Sequence, residues 1–203
     1  MSPFAPVLLA ALTAVTAEPP SSPGHPYHRE QHKNAPAEMW AVIEIPLGST
    51  VKYEFDKATG HLFVDRFQSM PVAAPANYGS FPRTLAVDGD PLDAVVLSRH
   101  PVQAGAFVRV RPVGAIRTVD GEHQDDKILV VPVSQIDSTY DEVRDLNDVP
   151  KAERDRIAAY FRVYKQLPSG LEGRILESSG REVAERLVRE AMENYRRGVA
   201  RPQ

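Results

Sequence analysis

Short runs of hydrophobic residues, several of them alternating with polar residues, occupy the middle of the chain and predict β-strands. From 51 to 55 apolar and charged residues alternate, so Lys52 and Glu54 share one face of a predicted strand. Loop-forming residues at 56–60 separate this strand from another predicted over 61–67, and the pair is typical of a hairpin. Four further strands are predicted, over 40–45, 94–97, 106–119 and 128–133.

The spacing of hydrophobic residues changes toward the C-terminus and predicts two helices. The first begins near Asn147 or Asp148, has Pro150 in its first turn and ends near Leu167. Its core-facing stripe comprises Ile157, Phe161 and Tyr164. The second helix follows the sequence Ser-Gly-Arg-Glu at 179–182, which has the pattern of a capping box.

Short strands at close spacing, with no helix between them, favour an antiparallel barrel over a doubly wound sheet. We therefore predict an α+β fold: a small antiparallel OB-like β-barrel with two C-terminal helices packed on it. Pro112 and Gly114 predict a bend or bulge in the long strand. The composition, with 42% hydrophobic and 25% charged residues, is that of a globular domain. The net charge of -3 gives no general attraction to nucleic acid or to a membrane.

The first 39 residues differ from the rest of the chain. Residues 7–17 form an uncharged apolar run, too short to span a bilayer, that ends in the small-residue pattern of a signal-peptide cleavage site. We predict a signal peptide over 1–17 and a periplasmic or secreted protein, with a cytoplasmic protein as the alternative. Residues 18–39 are rich in proline and histidine and predict an extended linker or arm with solvated histidines. The folded domain is predicted over 40–198, with a tail over 199–203.

Three carboxylates crowd into residues 88–93, which read Asp-Gly-Asp-Pro-Leu-Asp and precede an apolar strand. Their mutual repulsion costs stability unless cations neutralise it. Oxygen ligands without cysteine or histidine favour Mg²⁺, Mn²⁺ or Ca²⁺ over zinc. This segment therefore predicts metal-dependent chemistry or metal-dependent binding.

Charged residues and tyrosines elsewhere in the chain fit the same chemistry. Any one of them alone is most simply a solvent-facing residue, although Glu44 lies between two isoleucines of an apolar strand. Together, the carboxylates could hold several divalent ions and the cations could hold a polyanion between them, as phosphoryl transfer requires. The set comprises Asp88, Asp90, Asp93, Asp120, Asp125, Lys52, Arg66, Lys127, Lys165, Tyr78 and Tyr164.

These residues lie in motifs that resemble those of the soluble family I inorganic pyrophosphatases, in the family's order, from about residue 40 to 166. The motifs are Val42-Ile-Glu-Ile-Pro46, Lys52-Tyr-Glu54, Phe63-Val-Asp-Arg66, Pro75-Ala-Asn-Tyr-Gly79, Asp88-Gly-Asp-Pro-Leu-Asp93, Arg111-Pro-Val-Gly114, Asp125-Asp-Lys127 and Tyr164-Lys165. The resemblance implies Mg²⁺-dependent hydrolysis of inorganic pyrophosphate to two orthophosphates, with Mn²⁺ or Zn²⁺ as substitutes. It also implies a homohexamer.

The resemblance further implies a role for each matching residue. Asp90 would be the general base, held by a hydrogen bond from Tyr78, and Glu44 would be an outer-shell carboxylate. The implied metal ligands are Asp88, Asp93, Asp120, Asp125 and Glu54. The residues implied to hold the two phosphoryl groups are Lys52, Arg66, Lys127, Tyr164 and Lys165.

Two positions depart from the family's pattern or add to it. Ala74 stands where bacterial members commonly have a tyrosine near the substrate phosphates, so one hydrogen-bond donor is missing. Asp126 adds a negative charge beside Asp125, and the alternation of a strand places it on the opposite face.

Three other functions are compatible with parts of the pattern. One is another metal-dependent phosphohydrolase, acting on nucleoside polyphosphates or phosphate monoesters. A second is a binding module, either a Ca²⁺-binding barrel or an OB-like oligonucleotide binder. Four cations beside the carboxylates disfavour the first kind of module, and the clustered aspartates disfavour the other. The third is an inactive member of the family.

Overall fold

The computed structural model describes residues 24–120, 123–171 and 173–198. The predicted signal peptide over 1–17, the first residues of the predicted linker and the predicted tail over 199–203 lie outside these ranges. Within the described ranges, no helix has the length and apolar character needed to cross a membrane.

The described residues fold into a strand-rich domain with two α-helices near its C-terminus, separated by one strand. The strands are β1 (Met39–Ile45), β2 (Val51–Phe55), β3 (Leu62–Phe67), β4 (Asn77–Ser80), β5 (Asp93–Val96), β6 (Phe107–Asp120), β7 (His123–Pro132) and β8 (Arg174–Gly180). The α-helices are α1 (Lys151–Val163) and α2 (Arg181–Arg197). The predicted α+β class is confirmed, and the predicted hairpin is present as the β2–β3 pair. Strands β4 and β8 are not among the predicted strands.

The main sheet closes into a barrel through the long strand β6. The sheet has the order β1-β4-β5-β7-β6-β8, and β1 also pairs with β6. One edge of β6 pairs with β1 in its first part and with β8 in its second part, while the other edge pairs with β7. The register shifts between Pro112 and Gly114, which confirms the predicted bulge. A Cβ atom at Gly114 would lie 2.9 Å from the carbonyl oxygen of Ser179, so the close approach of β8 requires glycine there.

One pairing in the barrel differs from the prediction of a wholly antiparallel sheet. Strands β5 and β7 are parallel, with Asp93 opposite Lys127. Along the chain, β6 comes between β5 and β7, and β7 turns back antiparallel to β6. Strand β7 therefore runs in the same direction as β5. This parallel pairing brings two residues of the predicted site into adjacent positions.

The two helices begin at residues other than the predicted ones. Helix α1 begins at Lys151 with Pro150 as N-cap, because a separate 3₁₀ helix occupies Leu146–Asp148. The predicted capping box before α2 is wrong, because Gly180 is the N-cap and its position has no side chain to bond the helix. Instead, a carboxylate oxygen of Asp145 accepts the Arg181 backbone N–H at 2.8 Å. A capping group from a distant part of the chain leaves no local sequence signal.

Both helices pack on the barrel, as predicted, each against its own hydrophobic cluster. Residues of α2, including Val188, pack with the barrel residues Met39 and Ile128. Residues of α1, including Phe161, pack with Leu129 on the other side. Each fully buried side chain of this size contributes about 1.5–3 kcal/mol to stability, so these contacts fix α1 and α2 against the sheet.

The described part of the predicted linker, residues 24–38, packs against the barrel. The imidazole of His25 is buried, and its Nε2 donates to the carbonyl oxygen of Asp56 at 3.0 Å. The guanidinium of Arg29 lies 4.5 Å from the ring centre of Trp40. The prediction of an extended arm with solvated histidines is therefore wrong for these residues, because their aromatic and cationic side chains have partners on the barrel and on the β2–β3 hairpin.

Candidate active site

A cavity of about 390 Å³ lies between the barrel and the β2–β3 hairpin. Most of the predicted site residues line it, although they come from distant parts of the sequence. These residues are Glu44, Lys52, Glu54, Arg66, Tyr78, Asp88, Asp90, Asp93, Asp125, Tyr164 and Lys165. Lys127 lies beneath the cavity and is almost completely buried. The side chain of Asp120, at the end of β6, is outside the described structure.

The acidic segment 88–93 forms a loop that enters β5. The backbone N–H of Asp90 donates to a carboxylate oxygen of Asp88 at 3.0 Å. Leu92 anchors the loop, because its side chain is buried and its backbone N–H donates to the hydroxyl of Thr84 at 2.9 Å. Burial raises the pKa of Asp88 above its ordinary value. The loop thus holds its carboxylates toward one cavity despite their repulsion.

A buried ammonium group connects two of the predicted metal ligands. The Nζ atom of Lys127 lies 2.7 Å from Asp93 and 2.8 Å from both carboxylate oxygens of Asp125. Burial alone would lower the pKa of Lys127, but the two carboxylates raise it above its ordinary value. Burial raises the pKa of Asp93 to about 6 although Lys127 opposes this shift. Burial also opposes ionisation of Asp125, but the charge of Lys127 holds the pKa of Asp125 below its ordinary value.

The predicted hydrogen bond from Tyr78 to Asp90 is wrong in this structure. The Tyr78 hydroxyl donates instead to Asp93, which lies on the strand that pairs with β4. Burial raises the pKa of Tyr78 well above its ordinary value, so the hydroxyl keeps its proton and acts as a donor. Asp90 lies in the loop before β5 and pairs with Lys57 of the hairpin. Sequence reasoning missed Lys57, although it follows closely on the charged residues of β2.

The hairpin forms the opposite wall of the cavity and carries cations. Lys52 and Arg66 are partners in the β2–β3 register. Lys52 pairs with Glu54, as their shared strand face predicts, and lies 3.3 Å from Asp65. Arg66 also pairs with Asp65, at 2.9 Å. These side chains are partly exposed, so the hairpin presents positive charge to solvent and to the cavity.

The end of helix α1 supplies an aromatic part of the wall. The rings of Tyr160 and Tyr164 stack with centres 5.0 Å apart, and Phe161 packs edge-on against Tyr164. The ammonium group of Lys165 lies 5.3 Å from the ring centre of Tyr164. The Lys165 ammonium group and the Tyr164 hydroxyl can both donate hydrogen bonds to a small anion at this wall.

Glu44 is buried at the base of the cavity. It accepts hydrogen bonds from the hydroxyls of Ser80 at 2.6 Å and of Tyr27 at 2.9 Å. Burial raises the pKa of Glu44 to about 7, which the two hydrogen bonds oppose. Neither donor was found from the sequence, because a tyrosine in a proline-rich segment and a serine in a strand give no local signal of their partner.

The donor groups of this cavity fit divalent cations, although they do not form a ready-made ion site. Across the described ranges, no three acidic or imidazole groups meet closely enough for that. The ammonium group of Lys127 lies between two of the carboxylates, those of Asp93 and Asp125. The chemistry of the set nevertheless suits Mg²⁺, because the oxygens are hard and burial leaves the charges of Asp88 and Asp93 incompletely compensated.

One cavity that brings together carboxylates, most of them from the barrel and the acidic loop, and cations, most of them from the hairpin and the end of α1, defines a class of protein: an α+β barrel enzyme with a site for phosphoryl chemistry. The family model of inorganic pyrophosphatase matches residues 41–196. The chain therefore belongs to the inorganic pyrophosphatase family, which confirms the resemblance seen in the sequence.

Individual relatives support this assignment over most of the chain. Inorganic pyrophosphatase of Aquifex pyrophilus is 42% identical over 82% of this chain and 94% of its own length. That of Xanthomonas axonopodis pv. citri is 44% identical over 80% of this chain and 92% of its own length. The crystal structure of inorganic pyrophosphatase from Thermus thermophilus matches with a TM-score of 0.81 at 33% identity, over 85% of this chain and 99% of that one. The predicted enzyme class, an inorganic diphosphatase, is confirmed by these relatives.

Proposed function

We propose that this chain hydrolyses inorganic pyrophosphate to two orthophosphates with Mg²⁺ as cofactor and Asp90 as general base. The observation that carries the proposal is the arrangement of one cavity, in which buried carboxylates face a hairpin that carries cations. Such a cavity suits an anion that binds together with divalent ions. Its carboxylates offset the charge of the ions, and its cations offset the charge of the anion.

The substrate would lie against the cationic residues. Lys52 and Arg66 are held by strand pairing and by Asp65, so their head groups are positioned before substrate binds. Lys165 and the hydroxyl of Tyr164 would contact the phosphoryl group at the aromatic wall. Lys127 would contribute positive charge from beneath the site. Preorganised cations of this kind lower the barrier because they need no rearrangement as charge moves to the leaving phosphate.

The proposed metal ligands are Asp88, Asp93, Asp120, Asp125 and Glu54. When bound, divalent ions would lower the pKa of water and offset the charge of the phosphoryl oxygens. The Tyr78 hydroxyl would orient Asp93 for this role through its hydrogen bond.

Asp90 suits the role of general base because of its position at the mouth of the site. Its side chain is about half exposed, at 51%, so water can reach the carboxylate. Its pairing with Lys57 holds it at the boundary between the acidic loop and the hairpin. The carboxylate would take the proton from water as the oxygen attacks phosphorus.

Phosphate release from pyrophosphate by the full chain, with Mg²⁺ and with EDTA, tests this function. We expect Mg²⁺-dependent release that Asp90→Asn lowers by at least about 100-fold, the usual contribution of a general base. Asp155→Asn is the matched control, because Asp155 pairs with Lys151 on the exposed face of α1. Full turnover by Asp90→Asn would refute the base assignment. Absence of release from folded protein with Mg²⁺, Mn²⁺ or Zn²⁺ would favour another phosphorylated substrate or an inactive family member.

We also propose that the chain is exported and that it assembles as a homohexamer. The first proposal rests on the signal-peptide pattern of residues 1–17, and the second on the resemblance to the family. N-terminal sequencing after cell fractionation tests export, and an intact Met1 in the cytoplasm would contradict it. Sedimentation of the purified protein tests the assembly, and a monomer would contradict the hexamer.

A further inference from the structure

The β2–β3 hairpin needs support from outside the main sheet. It forms a separate two-stranded sheet, although it carries the cations of one wall of the cavity. Its position relative to the acidic loop at 88–93 therefore depends on other contacts. The N-terminal segment 25–31 provides contacts to both walls.

On the hairpin side, this segment packs against the turn between β2 and β3. His25 donates from Nε2 to the Asp56 carbonyl oxygen at 3.0 Å, and its Nδ1 accepts the backbone N–H of Tyr27 at 3.1 Å. A Cβ atom at Gly60 would lie 2.9 Å from Pro26, which shows how closely the two segments approach. The ring of Tyr27 packs edge-on against Phe55 with centres 5.7 Å apart.

On the other side, the segment binds the turn that leads to the acidic loop. Arg83 adopts a φ of 54°, which is uncommon for a residue with a side chain and costs free energy. Its backbone N–H donates to the carbonyl oxygen of Tyr27 at 2.9 Å, and its Nε donates to that of His28 at 3.0 Å. The amide of Gln31 donates to the carbonyl oxygen of Pro82 at 2.9 Å.

Tyr27 connects this segment to the site. Its side chain lines the cavity, and its hydroxyl donates to Glu44 at 2.9 Å. Ser80 donates to the same carboxylate oxygen, at 2.6 Å. The two hydroxyls thus fix the orientation of a buried carboxylate that lies among the proposed catalytic groups.

We propose that Tyr27 is a positioning residue, whose hydroxyl orients Glu44 and whose ring and backbone hold the hairpin against the acidic loop. Only the expected effect on turnover rests on the proposed pyrophosphatase function. It assigns an active-site role to a segment that precedes the part of the chain matched by the family model.

Tyr27→Phe tests the hydroxyl, because it keeps the ring. We expect kcat to fall about 10-fold with little change in KM, since the hydroxyl bonds Glu44 and not the substrate. The melting temperature should stay close to that of the wild type. Tyr195→Phe on α2 is the matched control and should leave kcat unchanged. Equal kcat in Tyr27→Phe and wild type would overturn the role of the hydroxyl.

A double-mutant cycle with Glu44→Ala, which removes the acceptor of the Tyr27 hydroxyl, shows whether Tyr27 acts through Glu44. If it does, Tyr27→Phe should lower kcat much less in the Glu44→Ala background than in the wild type. Fully additive losses would overturn the connection, even if Tyr27→Phe proved unstable.

Amide hydrogen exchange tests the hold on the hairpin without any substrate. Tyr27→Ala should speed exchange across 51–67, whereas strands β6 and β7 should keep the rate of the wild type. Unchanged exchange in 51–67 would overturn this part of the inference. An inactive wild type would refute the proposed function, and the exchange experiment would still decide whether Tyr27 holds the hairpin.

Discussion

The two walls of the cavity are built in different ways. On the barrel wall, Asp93, Asp125 and Lys127 form a buried network that the parallel β5–β7 pair places in register. On the hairpin wall, Lys52 and Arg66 are partly exposed and share the carboxylate of Asp65. Because buried charges depend on each other for compensation and exposed charges depend on water, the first wall is coupled to folding. The cations of the second wall contribute little to folding, and their proposed role is to bind the substrate.

Removing the ammonium group from the barrel wall should have the largest effect on stability. Lys127→Met would leave Asp93 and Asp125 without their shared partner in a buried position. We expect a loss of about 3–5 kcal/mol in the free energy of unfolding, as for other broken buried pairs. Urea unfolding in EDTA measures it. A loss below about 1 kcal/mol would contradict the coupling of this wall to folding.

The titration of Glu44 should give the next largest effect, as a dependence of stability on pH. The folded pKa of Glu44 is about 7, above its ordinary value of 4.5. Burial is the main cause, the charge of Asp93 adds to it, and Lys52 opposes it. The folded protein therefore binds this proton more tightly than the unfolded chain does. The stabilisation that the bound proton gives is fully present below the unfolded pKa and is lost as pH rises through about 7.

Glu44→Gln isolates this contribution, because glutamine also accepts from Tyr27 and Ser80 but does not titrate. In EDTA, the wild type should lose up to about 3 kcal/mol relative to Glu44→Gln between about pH 5 and about pH 8. Melting curves of both proteins across this range measure the difference. Parallel pH profiles would show that Glu44 is not protonated at neutral pH.

On the hairpin wall, Lys52→Gln should change activity more than stability. The loss of one cation should raise KM about 10-fold, which corresponds to about 1.4 kcal/mol of binding. Its ion pairs with Glu54 and Asp65 are partly exposed, so stability should change by less than about 1 kcal/mol. Steady-state kinetics and urea unfolding of the same sample test both statements. A large loss of stability with an unchanged KM would reverse the contrast between the walls.

The smallest effect is expected at Ala74, which lines the cavity near the hairpin. Ala74→Tyr would supply the hydrogen-bond donor that the family resemblance implies at this position, worth about 0.5–1.5 kcal/mol. We therefore expect KM for pyrophosphate to fall by about 2- to 10-fold, with little change in kcat. Ala74→Phe is the steric control, because phenylalanine adds the same ring without the hydroxyl. A higher KM in Ala74→Tyr would indicate that the tyrosine obstructs the substrate.

The sequence predicted the elements whose signals are local. Alternation over 51–55 and loop residues at 56–60 predicted the hairpin, and Pro112 with Gly114 predicted the bulge in β6. These predictions succeeded because side-chain alternation and backbone restriction act within a few residues. The acidic motif at 88–93 was equally informative, since three carboxylates in one short loop need compensation whatever the fold.

Tertiary structure alone decided the partners. The hydroxyl of Tyr78 bonds Asp93 instead of Asp90, Lys127 lies between two carboxylates, and Tyr27 reaches Glu44. Each of these contacts depends on strand order, on the parallel β5–β7 pair or on the packing of the N-terminal segment. By itself the sequence determined which chemical groups the site contains, because residue types carry their chemistry with them. Which group faces which was decided by pairings between distant segments, which no local pattern of residues encodes.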